Sequence, residues 1–452
     1  MTSNSSRPSL SSLEIAQHYL AYFRERIHLE IPGSPLVVPG SGTSFIIAGM
    51  QPLLPYLRGV ERPPSPRLTS RQRCLRTVDV ERVGTNIRNM TLFHMLGNWS
   101  VGDYGKEEAI EMALDFLLNT LKLRREDLWI TTFAGDSAFG LPPDEVTVEA
   151  WQRLGIARAR LVPLGSDDNL WTMGGPGPCG PCTEIFVDRG KELSCGQPDC
   201  HPGCECARFL EVWNLVFIEF ERHPDGSLSR LPFLSVDTGM GLERIASVLQ
   251  DVPSVFETDL FQLASQRLSE LMPTSEMREG VKEILARRII LDHTRSVLFT
   301  ILEGVMPGRD GRNSVVRRLI RRASRQGRVL GIDRPFLGEL LMPLMEAHRG
   351  LLTSEECSRV PDLIPILTDE EKQFSRVLAL GLRFLEKLQP DEQGRISGAE
   401  IFNLHAEKGF PSDLAEEILV ERGLSIDWEG YEQALEQHRE VSRVSVRSHF
   451  RG

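Results

Sequence analysis

Residues 234–244, Leu-Ser-Val-Asp-Thr-Gly-Met-Gly-Leu-Glu-Arg, put an aspartate, two glycines one residue apart and an arginine into one short run. Gly239 and Gly241 let a ligand approach the backbone closely and tolerate positive φ. A helix opening just after them offers unpaired N–H groups to an anion. Arg244, one turn in, can clamp a phosphate. Asp237 repels phosphate and suits an ammonium instead. The chemistry on offer is a nucleotide beside an amine. A tight turn followed by a surface arginine accounts for the same residues.

Two further groups carry chemistry. Cys195, Cys200, Cys204 and Cys206 crowd together with His201 among them, in the spacing C-x4-C-x3-C-x-C. Thiolates at that density can wrap a structural zinc, and four of them would leave no open position for catalysis. Reduced free thiols in a surface insertion, near residues 190–208, fit the spacing equally. Cys179 and Cys182, in Gly-Pro-Cys-Gly-Pro-Cys, read as a tight turn. In residues 315–325, Val316, Leu319, Ile320 and Ala323 share one helix face, while Arg318, Arg321, Arg322 and Arg325 share another. A row of guanidinium groups suits the tracking of an RNA backbone. A solvated basic face, or salt bridges to the chain's own carboxylates, is the competing reading.

The elements that must hold these groups fall into two halves. Residues 13–30 have helical spacing, and short apolar segments at 44–48, 91–96, 128–132, 184–187 and 211–220 have strand length. Residues 106–121 form a helix candidate. Beyond about residue 250 the texture turns to long helical periodicity, so a mixed sheet domain followed by a helical domain is expected, with the junction near 249–254. The chain has 452 residues and a net charge of −11, which argues against coating nucleic acid by bulk electrostatics but allows a local basic patch. Its serine-rich start lacks an apolar signal core, and no apolar run approaches bilayer length. A cytoplasmic protein without membrane contact is the expectation.

Read together, several blocks resemble the alanyl-tRNA synthetases. They are Gln72-Arg73-Cys74-Leu75-Arg76, residues 93–104 (Phe-His-Met-Leu-Gly-Asn-Trp-Ser-Val-Gly-Asp-Tyr), residues 177–185, Trp213-Asn214-Leu215-Val216-Phe217, and the Asp237 to Arg244 run. Asp292-His293-Thr294-Arg295-Ser296 and Gly304-Val305-Met306-Pro307 resemble that family's helical domain. The blocks occur in family order from about residue 13 to 440.

The resemblance implies an α+β class II synthetase core, an antiparallel sheet flanked by helices, over residues 1–249. An all-α tRNA-recognition domain over 250–452 would follow. It implies activation of alanine by ATP with Mg²⁺ to alanyl-adenylate, then transfer to the 3′ end of tRNA. On that pattern Arg76 would meet the α-phosphate and the amino-acid carboxylate, and Arg88 and Arg244 the β- and γ-phosphates. Phe93 would stack on adenine, with Gly239 and Gly241 beside the nucleotide. Trp171 and Val216 would wall the side-chain pocket, and Asn214 and Asp237 would bind the polar ends of alanine. Arg318, Arg321, Arg322, Arg325 and Asp413 would face tRNA.

Departures from the pattern accompany it. Ile46-Ile47-Ala48-Gly49-Met50 stands where the family has Thr-Asn-Ala-Gly-Met, and Arg88-Asn89-Met90 replaces Arg-His-His. His94 takes a glutamate's place, and Gly308-Arg309 and Asn313-Ser314 replace Ser-Asn and Gly-Tyr. The editing metal motif and the C-terminal oligomerisation region of the family are not in this sequence, so a monomer without in-chain editing is expected. Two alternatives stay open: a paralogue activating alanine or another small amino acid for a different acceptor, and a catalytically inactive RNA-binding protein on a synthetase scaffold.

Overall fold

Strict alternation of inward and outward side chains sets the sheet, and two interruptions of that alternation set the site. The computed structural model describes residues 9–39, 42–273 and 280–449, so the serine-rich first eight residues lie outside it. The strands are β1 (Leu29–Glu30), β2 (Arg67–Leu75), β3 (Leu92–Val101), β4 (Leu128–Phe133), β5 (Leu161–Leu164), β6 (Leu170–Trp171), β7 (Gly177–Asp188), β8 (Phe209–Arg222) and β9 (Leu228–Gly241). They form one sheet in the order β1-β2-β3-β9-β8-β7-β4-β5, with β6 paired to β7. Pairing is antiparallel except for β1 with β2 and β4 with β5. A separate parallel pair joins β10 (Arg395–Ile396) to β11 (Ser425–Ile426).

Around the sheet lie α1 (Ser12–Glu25), α2 (Leu54–Leu57), α3 (Lys106–Asp115), α4 (Glu145–Arg153), α5 (Ser166–Asn169) and α6 (Leu242–Leu249). After it come α7 (Asp259–Leu271), α8 (Val281–Leu302), α9 (Gly311–Val329), α10 (Gly338–Ala347), α11 (Ser354–Leu385), α12 (Gly398–Lys408), α13 (Ser412–Val420) and α14 (Trp428–His449). This α+β architecture is the one expected. Among the described residues no helix is long and apolar enough to cross a membrane.

One face of the sheet packs on the main core through Ile185 and Val187 of β7, Trp213, Leu215 and Phe217 of β8, and Val236 and Met240 of β9. Each such side chain contributes roughly 1.5–3 kcal/mol on burial. The other face carries a smaller cluster that includes Trp99, Cys182, Val216 and Ile218, with Trp171 and Met95 packed on it. The main core continues through Val316, Leu319, Ile320 and Ala323 of α9 to Leu367 of α11. A second core, from Phe374 to Tyr431, joins the far end of α11 to α12, α13 and α14. Thus α11 is the rod shared by both.

A buried polar knot locks β3 and α6 onto α8. Glu243 accepts from the backbone N–H of His94 at 3.0 Å, lies 3.0 Å from His94 Nδ1, and pairs with Arg295. Burial pushes the Glu243 carboxyl up, but Arg295 and His94 together outweigh it and hold the group at about 2. The result orients α6, and with it Arg244, against the strand that bears Phe93.

Several local expectations are corrected. The first helix stops at Glu25 rather than running to residue 30, because Ile27 takes a left-handed φ of 63° and turns the chain into β1. At the other end a capping box fixes its start: Ser11 accepts from the Glu14 N–H while the Glu14 carboxylate accepts from the Ser11 N–H at 2.8 Å. Residues 44–48 form no strand; Ile46 makes single backbone bonds to Leu36 and Leu75 instead of a ladder. The helix at 106–121 passes from α3 into a π-helical turn at Phe116–Thr120.

The Gly-Pro-Cys-Gly-Pro-Cys segment is not a turn but the first half of β7, with a bulge between Cys179 and Cys182. A Cβ at Gly180 would meet the Phe217 carbonyl oxygen at 1.8 Å, which is why a glycine sits there. Nor do Gly239 and Gly241 make a turn: β9 runs straight into α6, and neither has positive φ.

Candidate active site

Register explains which side chains meet. Cys182 pairs with Val216, Val216 with Asp237, and Asp237 with Trp99, so these four form a row across β7, β8, β9 and β3 on one face. Two residues along, Glu184 pairs with Asn214 and Asn214 with Gly239, forming a second row. Trp171 on β6 packs against the first row through the small apolar cluster. The expected amino-acid pocket residues Trp171, Asn214, Val216 and Asp237 are therefore brought together.

Asp237 is buried, and Trp99 Nε1 donates to its Oδ1 at 2.7 Å. Burial pushes its carboxyl up to about 7, against the lowering effect of that hydrogen bond. Asn214 donates from Nδ2 to Glu184 at 3.0 Å, while its Oδ1 is buried with no partner among the described residues. A buried carboxylate with one donor and a buried amide oxygen with none are what a pocket for a small zwitterion requires.

Glycines make the space. A Cβ at Gly97 would meet the Trp99 ring at 2.3 Å, and one at Gly239 would meet Met95 Sδ at 2.8 Å. Gly239 thus serves close packing under the pocket.

Beside this pocket a cleft of about 80 Å³ is lined by Arg76, Arg88, Phe93, Glu211, Gly239, Gly241 and Arg244 among others. Every residue expected at the nucleotide converges there. Arg76 lies 4.9 Å over the Phe93 ring and donates to the Ile47 carbonyl at 3.0 Å. Arg244 pairs with Glu211 at 2.7 Å. Burial pushes Glu211 up, but Arg244, with Arg76 and Arg88 behind it, holds the carboxyl below its ordinary value. For Glu184, burial and then the Glu211 carboxylate act in the same direction and push it well above.

Trp99, Glu184, Glu211 and Met95 were not singled out in the sequence. Trp99 could have been found by carrying the alternation of β9 across to β3. Glu211 could not. It stands two residues before Trp213 and would share that residue's core-facing side in a regular strand. A bulge at Val212 shifts the register, so that Ile185 pairs with Trp213 but Phe186 pairs with Glu211. The acid is thereby turned toward the cleft.

The arginine row of α9 is largely enclosed by acids. Arg318 pairs with Glu81 and with Asp413 at 2.5 Å, and Arg321 with Glu370 at 3.0 Å. Arg322 pairs with Glu81 and Glu417, and Arg325 with Glu421 at 2.7 Å. The geometry is that of the salt-bridge reading, although Arg318, Arg321, Arg322 and Asp413 also line a groove of about 700 Å³.

In the cysteine insertion, the sulfur atoms of Cys195, Cys200 and Cys206 lie within 4.8 Å of one another, with Cys200 and Cys206 3.7 Å apart. Cys204 is not part of that group. Three soft donors converging in this way fit zinc.

With this geometry in view, comparison with known proteins is direct. The family described as tRNA synthetases class II (A) matches residues 14–450. An alanine–tRNA ligase of Acetivibrio thermocellus is 40% identical over 441 residues, covering 96% of this chain and 49% of that protein. Alanine–tRNA ligases of Thermoanaerobacter sp. and Dehalococcoides mccartyi (strain BAV1) are each 39% identical, over 96% and 97% of this chain and 49% and 50% of theirs. The chain thus spans about half the length of the curated relatives it matches. A match over nearly the whole chain, onto a sheet whose two rows and cleft hold the matched residues, makes this chain a member of the class II (A) tRNA synthetase family.

Proposed function

We propose that the chain activates alanine with ATP and transfers the alanyl group to the 3′ end of tRNA. The observation that carries this reading is Asp237: a buried carboxylate with a single donor, beside Val216 and Trp171, one row from the unpartnered oxygen of Asn214. An ammonium placed there supplies the missing partner. Trp171 and Val216, in one apolar cluster, would wall the site of the alanine methyl group, and such walls reject glycine by only about 1–3 kcal/mol.

Activation then requires the amino-acid carboxylate to reach the α-phosphorus in line with the departing pyrophosphate. A carboxylate O–P bond forms while the bond from the α-phosphorus to the bridging oxygen breaks, and pyrophosphate leaves with that electron pair. Arg76 stabilises the charge that develops on the phosphorus oxygens. Arg88 and Arg244 hold the outer phosphates. For adenine to stack on Phe93, Arg76 must swing off the ring it now covers. In the second step a terminal ribose hydroxyl attacks the adenylate carbonyl; the acyl carbon–oxygen bond to the phosphate breaks, and AMP departs with that electron pair and takes up the hydroxyl proton.

Glu184 and Glu211, whose carboxylates interact across β7 and β8, would hold a divalent cation, and Mg²⁺ there would offset phosphate charge. The division near residue 249, the tRNA roles of the α9 arginines and Asp413, and a structural zinc on the cysteine insertion belong to this reading. So do a cytoplasmic location and a monomeric state.

The test is alanine-dependent exchange between ATP and labelled pyrophosphate. Exchange is expected, with loss in Asp237→Ala and Arg76→Ala while the circular dichroism spectrum is kept. Absence of exchange with alanine, glycine and serine alike would sink the reading.

A further inference from the structure

Three acids run along the arginine row of α9 as a phosphate strand would. Asp413 and Glu417 lie on α13 one helical turn apart, and Glu421, a turn further, caps its end. Asp413 pairs with Arg318, Glu417 with Arg322 and Arg325, and Glu421 with Arg325. Glu81, from the turn after Arg76, completes the set through Arg318 and Arg322. Three guanidiniums thus face four carboxylates, and the closed seam has no positive surplus to attract a polyanion.

The two sides of this seam belong to different cores. On α9, Val316, Leu319, Ile320 and Ala323 pack in the main core; on α13, Leu414, Ala415, Ile418 and Leu419 pack in the second. Arg322 and Arg325 are buried, yet Glu421 is more than half exposed, and Asp413 and Glu417 keep partial access to water. Ion pairs open to solvent are individually weak and screened by salt. On the rim of the adjoining groove, Arg309 is exposed and makes no ion pair among the described residues.

We propose that α13 is an internal stand-in for phosphates. Its carboxylates hold the α9 arginines until the backbone of an RNA duplex displaces them, and docking moves α13 away from α9. The idea rests on the reading that the chain handles tRNA, and it adds that the RNA face must be opened rather than merely met. Arg309 makes the first phosphate contact. Arg318, Arg322 and Arg325 then exchange carboxylate for phosphate.

The experiment compares the full chain with Glu417→Gln/Glu421→Gln for binding of a short RNA hairpin, by fluorescence anisotropy over a range of salt. Neither residue lines the nucleotide cleft, so alanine-dependent pyrophosphate exchange is expected unchanged. Affinity for the hairpin is expected to rise about tenfold, with a steeper loss on adding salt, because more arginines reach phosphates. Equal or weaker binding by a variant with unaltered exchange would overturn the proposal and leave amino-acid activation standing.

A second measurement guards against simple loosening of the fold. Spin labels at the exposed positions Val329 and Val420 report the separation of α9 and α13. The distance should lengthen when hairpin is added to the otherwise unaltered chain, and an unchanged distance at saturation counts against the idea.

Discussion

Asp237 and Arg322 are buried to about the same extent, but their surroundings differ. Among the described residues Asp237 has one donor, the Trp99 ring nitrogen, whereas Arg322 is held by both Glu81 and Glu417. A buried charge short of partners favours its neutral form until a ligand arrives. One already neutralised by two carboxylates, as Arg322 is through Nη1, must be released before it can bind a ligand. The sheet pocket is therefore formed in advance for a zwitterion, while the α9 face has to trade one set of anions for another.

The sharpest way to break this contrast is Asp237→Asn, which keeps the shape and removes the charge. Loss of a buried carboxylate from an ion pair with ammonium costs about 2–5 kcal/mol, so kcat/KM for alanine in the exchange assay should fall about thirtyfold or more. An effect below threefold would mean the ammonium sits elsewhere.

Next in size is a pH effect. The ionised form of Asp237 binds the ammonium, and its carboxyl is raised to about 7. The KM for alanine should therefore rise by about tenfold per pH unit below 7 and level off above it. Trp99→Phe removes the one donor to Asp237 among the described residues and should move that bend to higher pH. A KM that does not change between pH 6 and 8 would separate Asp237 from alanine binding.

The same group makes a smaller mark on stability. Its folded pKa lies above its ordinary value, so between about pH 4 and 7 the folded chain holds a proton that the unfolded chain gives up. Ligand-free stability should decline across that window on this group's account. In Asp237→Asn the decline should be shallower, as read from Tm against pH. Smallest of all, chelation of zinc should lower Tm by a few degrees with exchange unchanged, because Cys195, Cys200 and Cys206 line no part of the cleft. Metal analysis finding no zinc in reduced protein would return the three thiols to the free-thiol reading.

Much of this arrangement could be read in the residues beforehand, for identifiable reasons. Val216 and Asp237 alternate with core neighbours, so period-2 reasoning puts them on the pocket face. Helical spacing likewise placed the arginines of α9 on one side. What escaped were features set by register and by distant partners. Nothing local to residues 177–182 shows that Gly180 lies against the Phe217 backbone. The spacing of the α9 arginines says nothing of Glu417 or Glu421, which come from a helix about ninety residues away. Residues 44–48 have strand-like composition but make only isolated bonds to Leu36 and Leu75 through Ile46.

The extra residue at Val212 has an implication for how the β7–β8 hairpin finds its register. If the ladder ran without interruption, Val212 would occupy the spot opposite Phe186, presenting an isopropyl group to the cleft and leaving Arg244 without its acid. Glu211 would be driven into the core opposite Val187, among its apolar neighbours. That misthreaded sheet is penalised where folding is decided, in the greasy interior, and so the kink that aims one carboxylate also proofreads the strand that carries it.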